Sequence, residues 1–161
     1  MRVKTILDED FINYKEPCMF IGCISCGGKC AKDGNFPIEV CQNDIWRKAK
    51  IIDIDDDKII KRYLSNDITK SIVFGLLEPL EQFDEIVLFI KKLRINYNCN
   101  DPIIIYTGYN KNEIQSQINI LKQYKNIIIK FGRFQLNHKK HYDDILGIRL
   151  ASNNQYAEKI S

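Results

Sequence analysis

Residues 18–30 read CMFIGCISCGGKC, an apolar run that leads directly into closely spaced cysteines. The run at 19–23 has the aromatic and branched residues of a buried strand. Five of the six cysteines lie between residues 18 and 41, and only Cys99 lies elsewhere. Because cysteines of a reducing cytosol are seldom paired in disulfides, this clustering predicts a metal or redox site in the loop after the strand.

Outward from this segment, the chain alternates short β-branched runs with helical periods. Further strands are predicted at 71–75, 102–107 and 126–131. Apolar residues recur at helical spacing after Pro79 and again from Ile114 to Leu121. The acidic run at 53–57 predicts a helix start. This alternation favours an α/β fold with a mostly parallel sheet.

Length and charge limit the class of protein. A chain of 161 residues predicts a single domain over 1–161. The 24 basic and 21 acidic residues leave a net charge of +3, which argues against a nucleic-acid partner. No apolar stretch reaches the roughly 20 residues that cross a bilayer, and the start MRVKTILDED lacks a signal sequence. We therefore expect a cytoplasmic protein with no membrane partner.

The cysteine spacing leaves two kinds of metal site open. Cys26 and Cys30 flank two glycines that allow tight backbone turns, and Cys41 follows after a longer loop. Three thiolates can hold a [4Fe-4S] cluster with one iron open to a further ligand. A zinc site needs a fourth donor, which Cys23 could supply. Cys23, Cys26 and Cys30 form an alternative triple, although Cys18, Cys23 and Cys99 are expected to be core residues.

Several motifs resemble one known family. CGGKC at 26–30 with CQN at 41–43 looks like the three-cysteine motif of radical S-adenosylmethionine proteins. SIVFGLLEPLEQFDEI at 71–86 is similar to their strand and acid-proline turn. IIIYTGYNKNEI at 103–114, FGRF at 131–134 and GIRLASNNQ at 147–155 resemble later segments of the activating proteins of anaerobic ribonucleoside-triphosphate reductase. The order of the motifs makes the resemblance more specific than any one of them.

The resemblance implies a partial (β/α) barrel in which cluster and cofactor carry the chemistry, with no catalytic side chain. By resemblance, Cys26, Cys30 and Cys41 ligate a [4Fe-4S] cluster. The implied S-adenosyl-L-methionine contacts are Gly75, Leu76, Leu77, Glu78, Thr107, Gly108, Ser152 and Asn154. A one-electron donor would supply the electron that yields a 5′-deoxyadenosyl radical. The implied partner is the reductase, on which a glycyl radical would be installed.

Two departures from the family pattern keep other functions open. Ten residues separate Cys30 from Cys41, where the family usually has two, and Leu76 and Leu77 stand at positions of small glycines. The alternatives are a zinc-stabilised α/β interaction module and a degenerate family member that binds a cluster without turnover.

Overall fold

The structure is a computed structural model that describes all residues from 1 to 161. Its strands are β1 (Arg2–Val3), β2 (Thr5–Asp10), β3 (Cys18–Gly22), β4 (Ile52–Asp53), β5 (Ile72–Gly75), β6 (Ile103–Tyr106), β7 (Ile127–Phe131), β8 (His141–Asp143), β9 (Ile148–Leu150) and β10 (Tyr156–Lys159). Its α-helices are α1 (Lys29–Gly34), α2 (Asp44–Arg47), α3 (Asp56–Leu64), α4 (Phe83–Ile95) and α5 (Gln115–Leu121). Short 3-10 helices lie at Ile38–Val40, Pro79–Gln82 and Lys111–Glu113.

Six strands form the central sheet in the order β10-β7-β6-β5-β3-β2. Its centre, β3-β5-β6-β7, is parallel, and the edge strands β2 and β10 pair antiparallel. Two small antiparallel pairs, β1-β4 and β8-β9, lie outside it. The predicted α/β fold with a mostly parallel sheet is confirmed. Strand pairing does not close the sheet into a barrel, so a partial barrel stays a prediction.

Side chains of the central strands alternate between two apolar cores, as the two-residue period of a strand requires. In β5, Ile72 and Phe74 belong to the larger core and Val73 to the smaller one. The larger core also contains apolar side chains of α3, α4 and α5, so these three helices cover one face of the sheet. We call this cluster the helix-side core. No helix is long and apolar enough to span a membrane.

Loops and the C-terminal hairpin cover the other face of the sheet. The smaller core includes Tyr14 from the β2-β3 connection, Leu146 and Leu150 from the hairpin, and Ala157 from β10. Tyr106 at the end of β6 packs against this core, and its hydroxyl donates to the Asn13 carbonyl. This face is therefore filled by the chain's own side chains along most of the strands.

The helix starts follow the sequence signals. Asp55 caps α3, because its carboxylate accepts the Asp57 backbone N–H at 2.8 Å. The prediction that the acidic run begins a helix is confirmed. After Pro79 the chain first forms a 3-10 turn and then α4. Glu78 caps this turn through a hydrogen bond from the Leu80 N–H at 3.1 Å.

Candidate metal centre

The carboxyl ends of the three neighbouring strands β3, β5 and β6 bring the sequence motifs to one edge of the sheet. Such edges are the usual ligand sites of open parallel α/β sheets. The cysteine loop follows β3, the segment at 76–78 follows β5, and Thr107 and Gly108 follow β6. Local strand order therefore places together motifs that are about 80 residues apart along the chain.

Three hydrogen bonds donated by backbone N–H groups fix the cysteine loop to the turn after β5. The Glu78 N–H donates to the Ser25 carbonyl at 2.8 Å, and the Ile24 N–H donates to the Gln82 side chain at 2.7 Å. The Gly27 N–H donates to the Glu81 carboxylate. These bonds hold the loop that carries Cys26 and Cys30 directly over Glu78.

The carboxylate of Glu78 is buried and bridges two strand ends. It accepts the Thr107 hydroxyl at 2.8 Å and the Gly108 N–H at 2.8 Å, besides the Leu80 N–H. Burial raises the Glu78 pKa, and these three hydrogen bonds oppose the rise. A carboxylate has about four acceptor positions, so one remains for a further donor.

Gly108 allows the cysteine loop to approach the end of β6. A Cβ atom at this position would lie 3.0 Å from the Cys30 sulfur and 3.5 Å from a Glu78 oxygen. Any larger residue would push Cys30 away from the edge of the sheet. Because Gly108 has no side chain, the Cys30 thiol and the Glu78 carboxylate can both approach its backbone.

The three predicted ligands, Cys26, Cys30 and Cys41, have half-buried thiols. Cys30 is near enough to Cys26 and to Cys41 for their charges to interact. Burial raises the pKa of Cys26 and of Cys30. The Gly28 N–H, 3.4 Å from the Cys26 sulfur, and the Phe134 N–H near Cys30 favour the thiolates.

The other three cysteines, Cys18, Cys23 and Cys99, are buried. Cys23 is 1% exposed and belongs to the helix-side core, as does Cys99. Burial raises the Cys23 pKa well above its ordinary value and that of Cys18 to about 12. Neutral thiols packed in a core are poor metal ligands, because the thiolate is the ligating form.

Asn43 connects the loop of Cys41 to the turn after β5. Its side-chain amide donates to the Leu76 carbonyl at 2.6 Å. Leu76 has φ +73°, a left-handed conformation that costs a branched side chain about 1–3 kcal/mol. A Cβ at Gly22 would lie 2.8 Å from the Leu76 side chain, so the leucine covers Gly22 of β3. Leu77 is buried, and its N–H donates to the Gly75 carbonyl at 3.0 Å.

Replacing Asn43 by alanine is expected to loosen the Cys41 loop. The lost hydrogen bond lowers the free energy of unfolding by about 1 kcal/mol. Urea titration measures this loss. Gln42→Ala is the control, because Gln42 is exposed beside the same loop. Equal stability of the two variants would contradict the role given to Asn43.

Ser152 and Asn154 contact the chain's own backbone. The Ser152 hydroxyl and the Asn154 amide both donate to the Arg133 carbonyl, at 3.4 and 2.8 Å. The Asn154 side-chain oxygen is buried without a partner. Neither residue forms a hydrogen bond with Glu78. They connect to this edge of the sheet only through Arg133, whose guanidinium donates to the Gly108 carbonyl at 3.3 Å.

Two charged residues of the site, Lys130 and Arg133, are not predicted by the sequence analysis. Lys130 is buried at the end of β7, and burial lowers its pKa to about 8. Arg133 is also buried and forms salt bridges with Asp33 of α1 and with Glu113. Arg133 thereby joins the helix of Cys30 to the segment after β6. A lysine inside the apolar run IIIKF at 127–131 is the one sequence feature that indicates a buried charge at position 130.

The donor set fits a cluster better than a single ion. No three His, Cys, Asp or Glu side chains are close enough together to hold one metal ion. A cubane is larger than an ion and binds each thiolate through a different iron, so its ligands lie farther apart. The Cys30 thiol lies against Gly108, and N–H groups are directed at the sulfurs of Cys26 and Cys30, as suits bound thiolates.

A thiol-bearing loop lies at the carboxyl edge of a mostly parallel α/β sheet, so the fold is that of an α/β protein with cysteines at its usual ligand edge. Residues 18–157 match the family described as 4Fe-4S single cluster domain. The match covers most of the chain, and the protein belongs to this family of iron–sulfur proteins. No curated protein and no solved structure matches the chain.

Proposed function

We propose that this protein is a radical S-adenosylmethionine enzyme that activates an anaerobic ribonucleoside-triphosphate reductase. One observation carries the proposal: the loop of Cys26 and Cys30 contacts the turn of Glu78, and the Cys30 thiol and the Glu78 carboxylate both lie beside Gly108. Membership of the 4Fe-4S single cluster family supports the cluster. The order of the resembling motifs supports the cofactor and the reaction.

In this proposal Cys26, Cys30 and Cys41 hold a [4Fe-4S] cluster. The Gly28 and Phe134 N–H groups stabilise the bound thiolates. Asn43 keeps the Cys41 loop against the turn after β5. Cys23 is not part of the ligand set, because its thiol is in the helix-side core.

Glu78 would accept a hydrogen bond from the cofactor's amino group through its remaining acceptor position. Thr107 and Gly108 orient this carboxylate by their hydrogen bonds. Backbone groups from Gly75 to Leu77 lie at the end of β5, at the same edge of the sheet as Glu78. Ser152 and Asn154 of the C-terminal segment support this edge through their hydrogen bonds to the Arg133 carbonyl. When bound, cluster and S-adenosyl-L-methionine supply reductive cleavage of the sulfonium to a 5′-deoxyadenosyl radical, using one electron from a donor.

The reductase is proposed as partner because the resembling family acts on it. The radical would remove a hydrogen atom from a glycine of that protein, giving 5′-deoxyadenosine and a glycyl radical. The balance of acidic and basic residues supports a protein partner over a nucleic acid.

Anaerobic purification and a cleavage assay test the proposal. We expect a brown protein with about four irons per chain. With dithionite as reductant, it should convert S-adenosyl-L-methionine to methionine and 5′-deoxyadenosine, measured by chromatography. Glu78→Ala should lower the rate strongly, whereas Glu81→Gln, which keeps a side-chain acceptor for the Gly27 N–H, should lower it less.

Two results would replace this function by another. One zinc ion per chain with no colour would indicate the zinc-stabilised interaction module. A full cluster with no 5′-deoxyadenosine would indicate a degenerate member. The left-handed Leu76 and its contact with Gly22 are the features that motivate this second alternative.

A further inference from the structure

Lys130 is a buried cation at the same edge of the sheet. It is the fourth residue of β7 and is 8% exposed. It pairs with Tyr106, and its carbonyl accepts the N–H of Thr107, which in turn binds Glu78. The ammonium is therefore enclosed at the strand end next to the one that orients Glu78.

The ammonium of Lys130 has few partners for its charge. It has three N–H donors, of which one donates to the Gly132 carbonyl at 3.1 Å. It forms none of the chain's salt bridges. A buried ammonium that forms no salt bridge is costly to a fold, so the position of Lys130 at this edge points to a role in balancing negative charge there.

The acidic groups that face Lys130 are Cys30 and Glu78, which are close enough for their charges to act on it. Three hydrogen bonds already stabilise the Glu78 carboxylate. Cys30 has the Phe134 N–H as its backbone donor. A cluster bound to Cys30 would place additional negative charge at this position, since thiolates and sulfides both carry it.

We propose that Lys130 supplies the positive charge that offsets the cluster at Cys30 and raises its reduction potential. This inference rests on the proposed function. The potentials of iron–sulfur clusters respond to nearby net charge and to hydrogen bonds at their sulfurs. With Lys130 present, the added electron is stabilised, so the cluster accepts it from a weaker donor.

Lys130→Met and Lys130→Gln remove the charge and keep most of the side-chain volume. Lys122→Met is the control, because Lys122 is an exposed lysine directly after α5. A redox titration of the cluster, followed by electron paramagnetic resonance, should give a lower potential for both Lys130 variants and an unchanged one for the control. Thermal unfolding without added iron should show a higher Tm for Lys130→Met, since an unpaired buried charge has been removed.

The outcomes separate this inference from the proposed function. A wild-type chain that takes up no cluster overturns both. A wild-type chain with a full cluster, whose potential is the same in Lys130→Met and Lys130→Gln, overturns the inference alone. Weaker binding of S-adenosyl-L-methionine at unchanged potential also overturns it, because Lys130 would then contact the cofactor's carboxylate.

Discussion

Cys30→Ala is expected to yield a folded, colourless protein without the cluster. Cys30 is the thiol nearest to Gly108 and the one whose charge interacts with both Cys26 and Cys41. A cluster held by two protein thiolates has lost one of its iron–protein bonds and is released. Iron and sulfide analysis after anaerobic reconstitution should fall from about four irons per chain to background.

Cys99→Ala is the matched control for this experiment. Cys99 is a buried thiol of the helix-side core, so its loss leaves a small cavity and no missing ligand. We expect a modest loss of stability with iron content unchanged. Circular dichroism establishes that both variants are folded. A full cluster in Cys30→Ala would show that the ligand set is wrong.

Arg133→Met is expected to give the largest loss of stability among the charged residues of the site. Its guanidinium donates to both oxygens of Glu113, one at 2.6 Å, and to Asp33 of α1. Removing it leaves Asp33 and Glu113 with only Lys29 as a shared cation and loosens the helix of Cys30 from the segment after β6. Because the carboxylates are partly exposed, solvent screens these ion pairs, and we expect a loss of about 1 kcal/mol in urea titrations.

Lys29→Met is the control, because Lys29 forms salt bridges with the same two acids from an exposed position. Its loss should change stability by less than about 0.5 kcal/mol. A loss in Arg133→Met no larger than in Lys29→Met would show that Arg133 does not hold the site together.

The same network predicts a loss of stability in acid. The Arg133 hydrogen bond lowers the Glu113 pKa to about 2, below its ordinary value near 4.5. A carboxyl with a lowered pKa stabilises the fold above its unfolded pKa, and this stabilisation is lost as pH falls from 4.5 towards about 2. Urea titrations over this range should show a smaller acid dependence for Arg133→Met than for the wild type.

The strands and the edge that carries the site follow from local patterns in the sequence. The predicted strands at 71–75, 102–107 and 126–131 agree with β5, β6 and β7 to within one residue at each end. Runs of isoleucine buried on both faces of a parallel sheet are a strong signal. Since parallel strands end at one edge, the residues that follow them could be expected to lie together.

Features that depend on tertiary contacts could not be predicted. A leucine at position 76 does not indicate a left-handed backbone conformation. In the structure, Asn43 donates to the Leu76 carbonyl and the Leu76 side chain lies over Gly22. Lys130 lies in a strand where a lysine usually points to solvent. Arg133 bonds to residues 20 and 100 positions away along the chain. No short pattern in the sequence encodes such distances.

Electron paramagnetic resonance of the reduced protein, with and without S-adenosyl-L-methionine, tests the central claim most directly. The proposed ligand set of Cys26, Cys30 and Cys41 would leave one iron open, so the added cofactor should change the spectrum of the cluster. Identical spectra from a protein with about four irons per chain would show that no iron is open to the cofactor, and would contradict the account.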